Sequence, residues 1–154
     1  MSNLVTVAVG LGSNLGDRRA HLDFAVSRLG SILANLRISS FRDTDPVDVP
    51  GQQPPFLNAA AVGDTAMTAR ELLDVLLAIE RERGRERPFP GAARTLDLDL
   101  VLFGDEVISD AALTVPHPRF RERRFVLEPL AEIAPDLHDP VTGLSVADLL
   151  TRAR

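Results

Sequence analysis

Cysteine is absent from this chain of 154 residues, which excludes disulfides, thiolate metal sites and a cysteine nucleophile. Lysine is absent as well, all 17 basic residues being arginine. With it go a Schiff-base amine and the lysine of a P-loop; what remains is the planar guanidinium, suited to bidentate phosphate contacts. No apolar run approaches a membrane span and no charged leader precedes one, so a cytoplasmic setting without a membrane partner is the expectation. A basic excess is missing too. The formal net charge of −5 argues against a general nucleic-acid binder. Repeats, low-complexity tracts and a composition break are also lacking. With 45% apolar residues, residues 1–154 are expected to form one domain with its own core. Nothing compels more than a monomer.

The most informative stretch is Arg94-Thr95-Leu96-Asp97-Leu98-Asp99-Leu100-Val101-Leu102-Phe103. Its alternation predicts a β-strand, with Leu96, Leu98, Leu100 and Leu102 on one face and Asp97, Asp99, Val101 and Phe103 on the other. Two carboxylates then stand side by side, about 6.5–7 Å apart. Such neighbours repel unless solvent or a cation lies between them. Hard oxygens on a rigid strand suit Mg²⁺, which takes few carboxylates and completes its shell with water and phosphate. The plain alternative is a sheet with one wet face. The arginine-rich stretch from Arg81 to Arg94 leads directly into this strand, and arginines beside a cation-binding acid pair describe a polyphosphate site.

Along the chain, Leu4–Leu11 reads as a buried strand. Gly12-Ser13-Asn14-Leu15-Gly16-Asp17 reads as a turn into a helix, with Asp17 or a neighbour as cap. A phosphate cradle is the alternative there, although the glycines miss the dinucleotide spacing by one residue. A helix is predicted from about Arg18 to Leu29, closed by Gly30, with His21 and Asp23 solvated. Leu36–Phe41 reads as a second strand, and Asp43–Pro55 as a long binding loop or lid. Phe56–Val62 follows as a strand with Gly63-Asp64 as its exit; Phe56 is equally a core aromatic, and Asn58 can donate and accept to a heterocycle. Thr68-Ala69-Arg70-Glu71 matches a capping box ahead of a helix ending near Gly84. After Phe103, Gly104-Asp105 predicts a turn and Glu106-Val107-Ile108 a short returning strand. His117, held extended between two prolines, lies beside Arg119, Arg121, Arg123 and Arg124, a second anion-binding candidate or a wet surface. Phe125–Ala134 is predicted helical, with Pro129 as a kink or first-turn residue. Ser145 is expected to cap a last helix.

Four motifs in order resemble the 6-hydroxymethyl-7,8-dihydropterin pyrophosphokinase family: Gly12-Ser13-Asn14-Leu15-Gly16, Phe56-Leu57-Asn58-Ala59-Ala60, Arg94-Thr95-Leu96-Asp97-Leu98-Asp99, and Val115-Pro116-His117-Pro118-Arg119. The resemblance runs from about Val5 to Leu150. It implies an α+β fold, a ferredoxin-like sandwich with a mainly antiparallel central sheet flanked by helices. It implies transfer of the β,γ-diphosphate of ATP to the hydroxymethyl group of the pterin, releasing AMP, on the route to folate. By the same resemblance Asp97 and Asp99 hold two Mg²⁺ ions, and Arg85 and Arg94 close over the phosphates. Phe56 and Phe125 sandwich the pterin, whose edge is read by Asn58 with Thr44 and Val47. His117 and Arg123 contact the triphosphate, Leu100 and Thr114 surround adenine, and Glu80 lies near the nucleotide.

The sequence departs from that pattern in two places. Better-known members carry a tryptophan and a Gly-Pro-Arg turn in the closing loop, whereas this chain has Arg87-Pro88-Phe89-Pro90-Gly91-Ala92-Ala93 and no tryptophan. Pro118 follows His117 where some relatives have tyrosine. Two rival readings use the same residues: a metal-dependent phosphodiesterase or nuclease, and a non-catalytic ferredoxin-like binding domain. The first predicts hydrolysis without an acceptor; the second needs a basic, aromatic sheet face, where this sheet displays two aspartates.

Overall fold

The computed structural model describes residues 3–44, 55–84 and 95–153. The chain order is β1 (Val5–Ser13), α1 (Arg18–Gly30), β2 (Ala34–Ile38), β3 (Arg42–Thr44), β4 (Phe56–Thr65), α2 (Ala69–Glu82), β5 (Asp97–Phe103), β6 (Ile108–Ser109), β7 (Thr114–Val115), α3 (Arg124–Ile133) and α4 (Val146–Arg152), with a 3₁₀ turn at Phe120–Glu122. The main sheet has the order β2-β4-β1-β5, with β3 also on β4, and every pairing is antiparallel. This is the β-α-β-β-α-β ferredoxin-like arrangement, its edge strand divided into β2 and β3.

Helix starts follow their caps. The Asp17 carboxylate accepts from the Ala20 N–H at 3.1 Å, and Ser145 Oγ accepts from the Asp148 N–H at 3.1 Å. Thr68 and Glu71 close a reciprocal capping box, at 3.1 and 2.9 Å. Each bond satisfies a backbone donor that the first turn leaves over. Pro129 sits in the interior of α3, not in its first turn.

The sheet is buried on both sides. Val7, Val9, Leu11, Ala59, Leu98 and Leu100 face α1 and α2, meeting Leu22, Leu29, Leu72, Leu76 and Ile79. Ala8, Ala60, Val62, Val101 and Leu102 face α3 and α4, meeting Leu127, Leu130, Val146 and Leu149. Among the described residues no helix is long and apolar enough to cross a membrane.

The structure corrects five local expectations. First, β1 runs on through Gly12 and Ser13, so those residues belong to the sheet and not to the turn. Second, the strand expected over Leu36–Phe41 breaks at Ser39. Its hydroxyl accepts the Ala60 N–H at 2.8 Å while its own N–H donates to the Ala60 carbonyl at 2.9 Å. A side chain thus takes the place of a backbone carbonyl and the edge leaves the ladder. Third, β4 continues through Gly63, where a Cβ would stand 2.9 Å from Leu33 Cβ; that glycine serves close packing, not a strand exit.

Fourth, the alternation of β5 slips. Val9 pairs with Leu100 but Ala8 with Leu102, so Val101 is an extra residue and the face of each side chain after it is exchanged. Leu102 joins the α3/α4 side and Phe103 the α1/α2 side. Fifth, Ile108–Ser109 does not return along β5 but pairs with Thr114–Val115. β5 is the last strand of the sheet, and other groups meet its backbone. Glu80 Oε2 accepts from the Leu98 N–H at 2.7 Å, and the His117 N–H donates to the Val101 carbonyl at 2.9 Å.

Candidate active site

Register assembles the site. Gly12 on β1 pairs with Asn58 of β4 on one side and with Asp97 of β5 on the other. Gly10 pairs likewise with Ala60 and Asp99. Cross-strand partners share a face, so Asn58, Gly12, Asp97 and Asp99 lie on the α3/α4 side, beyond the end of the apolar core there. Asp97 and Asp99 are half-buried. Two glycines between the acids and Asn58 leave bare backbone where most sheets carry side chains.

Thr44 and Arg42 extend this row. Arg42 pairs with Asn58, and Thr44 with Phe56. Asn58 Nδ2 donates to Thr44 Oγ1, which fixes the plane of an amide that is only 7% exposed. Arg42 donates to Glu132 at 2.8 Å and reaches Glu128 at 3.4 Å, both on α3. Ser40 adds its hydroxyl and N–H to Glu132 at 2.7 and 2.8 Å. The Ser40 hydroxyl, then Arg42, then the Ser40 N–H hold the Glu132 carboxyl down at about 2. This network ties β3 to the helix whose first turn carries Arg124 and Phe125. Arg18 completes the frame, donating to Asp43 at 2.6 Å and to the Pro55 carbonyl at 2.8 Å.

His117 approaches from the other side of the acids. Its titration is lowered first by burial and then by Arg123, with Asp97 opposing and Arg119 adding to the shift. Burial and the neighbouring guanidinium thus favour the neutral imidazole. The Arg119 N–H donates to its Nδ1 at 3.2 Å, which assigns the ring proton to Nε2, a donor for an anion. Arg123 lies over the Phe125 ring, 5.5 Å from its centroid. Acids, a histidine Nε2–H donor and a guanidinium thus occupy one neighbourhood.

Other predicted positions fall differently. Phe56 and Phe125 belong to the same side of the sheet, on β4 and on the α3 that packs against it. Leu100 is 5% exposed and buried in the α1/α2 core, on the face opposite the acids. Thr114 is exposed on β7. Glu80 is 2% exposed and meets β5 through Leu98. Val47, Arg85 and Arg94 lie outside the described residues, as does Phe89. His21, expected to be solvated, accepts instead from Arg83 Nε at 2.8 Å. Burial, then the charge of Arg83, pulls its titration below the usual value. Gly12, set between Asn58 and Asp97, is the position that periodicity left out of the strand, because a glycine after an apolar run reads as a turn; an alternation count extended by two residues would have kept it there.

The donor set suits a hard divalent cation. Among the described residues no group of three or more histidine, acidic or cysteine side chains could cage a metal alone. A pair of half-buried carboxylates on one strand matches Mg²⁺, which leaves positions for water and phosphate oxygens.

A ferredoxin-like α+β domain bearing an acid pair beside basic side chains is the kind of site that handles charged phosphoryl-type groups. The family model for 7,8-dihydro-6-hydroxymethylpterin-pyrophosphokinase matches residues 8–135. A 2-amino-4-hydroxy-6-hydroxymethyldihydropteridine pyrophosphokinase of Pseudomonas aeruginosa is 41% identical over 146 residues, covering 94% of this chain and 89% of that protein. The Bacillus subtilis protein of the same name is 42% identical over 145 residues, covering 93% and 85%. A solved Plasmodium falciparum HPPK-DHPS structure with pterin and p-hydrobenzoate superposes with a TM-score of 0.74 at 14% identity. It is matched over 97% of this chain, which spans under half, 44%, of that longer one, and it supports the fold alone. The chain belongs to the 7,8-dihydro-6-hydroxymethylpterin-pyrophosphokinase family.

Proposed function

We propose that this chain transfers the β,γ-diphosphate of ATP to the hydroxymethyl oxygen of 6-hydroxymethyl-7,8-dihydropterin. The new bond joins that oxygen to the β-phosphorus; the bond between the β-phosphorus and the oxygen bridging to the α-phosphate breaks, AMP leaves, and the hydroxyl proton is lost to solvent. The observation that carries this reading is the pairing of Gly12 with both Asn58 and Asp97. A heterocycle reader and a cation-holding acid then stand two strand spacings apart, about 9–10 Å, the span of a bicyclic ring with a one-carbon arm.

Asp97 and Asp99 would hold the Mg²⁺ that accompanies ATP, and two ions are proposed. When bound, that cation neutralises phosphate charge and aligns the phosphate oxygens. The chain's own work is positioning. Phe56 and Phe125 stack on the pterin, while Asn58, Thr44 and Val47 read its edge. His117, through Nε2–H, and Arg123 bind phosphate oxygens, and Arg85 and Arg94 add charge as the β-phosphorus is attacked. Thr114 and the backbone at Leu100 border the adenine. Glu80 acts from beneath, by fixing the strand between the two aspartates. All these residues come from one chain, and a monomer is the proposed working unit.

Incubation with ATP, Mg²⁺ and the hydroxymethyl-dihydropterin tests this. AMP formed only with the pterin present is the expected result. Cleavage of ATP or of a nucleic acid without the pterin would instead favour a phosphodiesterase.

A further inference from the structure

The buried Asp139–Arg121 pair and the His21–Arg83 contact are bonded within the fold, whereas the bare stretch of β1 at Gly10 and Gly12 faces the site. A Cβ built on Gly12 would stand 3.1 Å from Asn58 Oδ1 and 3.6 Å from Phe56 Cδ1. The first distance is closer than carbon and amide oxygen normally approach, so one of them must give by a few tenths of an ångström. Asn58 cannot turn aside freely. Its Nδ2 is committed to Thr44, and the backbone on either side is locked in register with β1 and β3. Gly10, two residues earlier on the same face, presents a contrast: a Cβ there would meet Val101 Cγ2 at 3.7 Å and Asp99 Cβ at 3.9 Å, ordinary contact. Neither glycine has the positive φ that would demand the residue on backbone grounds.

We infer that Gly12 is a specificity-determining position: its missing side chain keeps the Asn58 amide aimed at the heterocycle and leaves the floor between Asn58 and Asp97 clear. This rests on the pyrophosphokinase reading and adds to it a residue that touches neither phosphate nor cation. Any side chain at position 12 acts through Asn58, so it should weaken heterocycle binding and leave nucleotide binding alone.

The test compares Gly12→Ala with Gly10→Ala. Affinity for the hydroxymethyl-dihydropterin is measured by fluorescence titration in the presence of a nonhydrolysable ATP analogue and Mg²⁺, and affinity for the analogue is measured separately. Gly12→Ala should weaken pterin binding by about tenfold or more, the scale of one misdirected buried hydrogen bond. Analogue affinity should stay within about twofold, and Gly10→Ala should hold the pterin within about twofold. Equal pterin affinity in Gly12→Ala and wild type, or an equal loss in both variants, overturns the inference. So does a Gly12→Ala chain without a cooperative thermal transition, which would make the glycine a requirement of the fold. A wild-type chain that binds the pterin but makes no AMP would sink the proposed reaction and still leave the two variants to be compared.

Discussion

Replacing Asp139 by Asn should cost the fold about 2 kcal/mol at pH 7, and the structure supplies the reasoning. The Asp139 side chain is fully buried. Arg121 grips it with Nε and with Nη2, the latter at 2.8 Å. The Thr142 hydroxyl and the Val141 N–H add bonds at 2.7 and 3.0 Å. Burial alone would raise its titration; Arg121, Thr142 and Val141 together more than offset that and bring it from 3.8 to about 2. A depression of somewhat under two pH units corresponds to about 2 kcal/mol of stability in the ionised state. For a domain of this size that is a fall of about 4–8 °C in Tm. The sign is definite: the folded carboxyl has the lower pKa, so its contribution is complete above 3.8 and lost as pH falls through about 2. Thermal melts of Asp139→Asn and wild type, followed by circular dichroism from pH 7 downwards, should therefore start several degrees apart and converge in acid. Melts that coincide at pH 7, or a gap that persists below pH 2, would refute the assignment of this energy to an ionised Asp139.

Asp97→Ala and Asp99→Ala should each reduce turnover to about a thousandth or less, while pterin affinity changes far less; near-normal turnover in either would remove the cation-holding role. Arg94→Ala should lower kcat by about a hundredfold with a smaller change in KM, since its charge matters most as the β-phosphorus is attacked; the reverse pattern would make it a ground-state binder. Ring-proton NMR should find His21 titrating below 6.5, and Arg83→Gln should move it only partly back, because burial is the larger cause and the Arg83 charge the second. Since the folded chain resists that proton, stability should decline as pH drops through 6.5. Titration at or above 6.5 in the wild type would contradict the contact.

Much of this architecture is legible in sequence because the signals are local. Asp17, Thr68 with Glu71, and Ser145 each announce a helix whose first turn needs an acceptor. The leucines of β5 announce a strand as far as Leu100. The failures share a cause: they depend on a partner distant in the chain. Val101 is extra only relative to the spacing of Ala8 and Val9 on β1. Ser39 breaks an edge because Ala60 lies beside it. His21 is half-buried and bonded, not simply solvated, because Arg83, 62 residues away, reaches it. For the site, the two aspartates could be read from alternation, whereas Gly12 gains meaning only when strands β4 and β5 are placed on either side of it. The motif resemblance named Leu100 without indicating that its side chain points into the opposite core.

The last strand of the sheet has one more consequence. A terminal strand with open amides and carbonyls invites pairing with another chain and is a starting point for aggregation. In β5 the Leu98 N–H is held by the Glu80 carboxylate and the Val101 carbonyl by the His117 N–H. The strand that presents the acids is thus closed to strand addition by a helix side chain at one point and a loop backbone at another. A variant that loses the Glu80 carboxylate would lose a guard against self-association, and the loss would show as concentration-dependent clustering in dilute buffer.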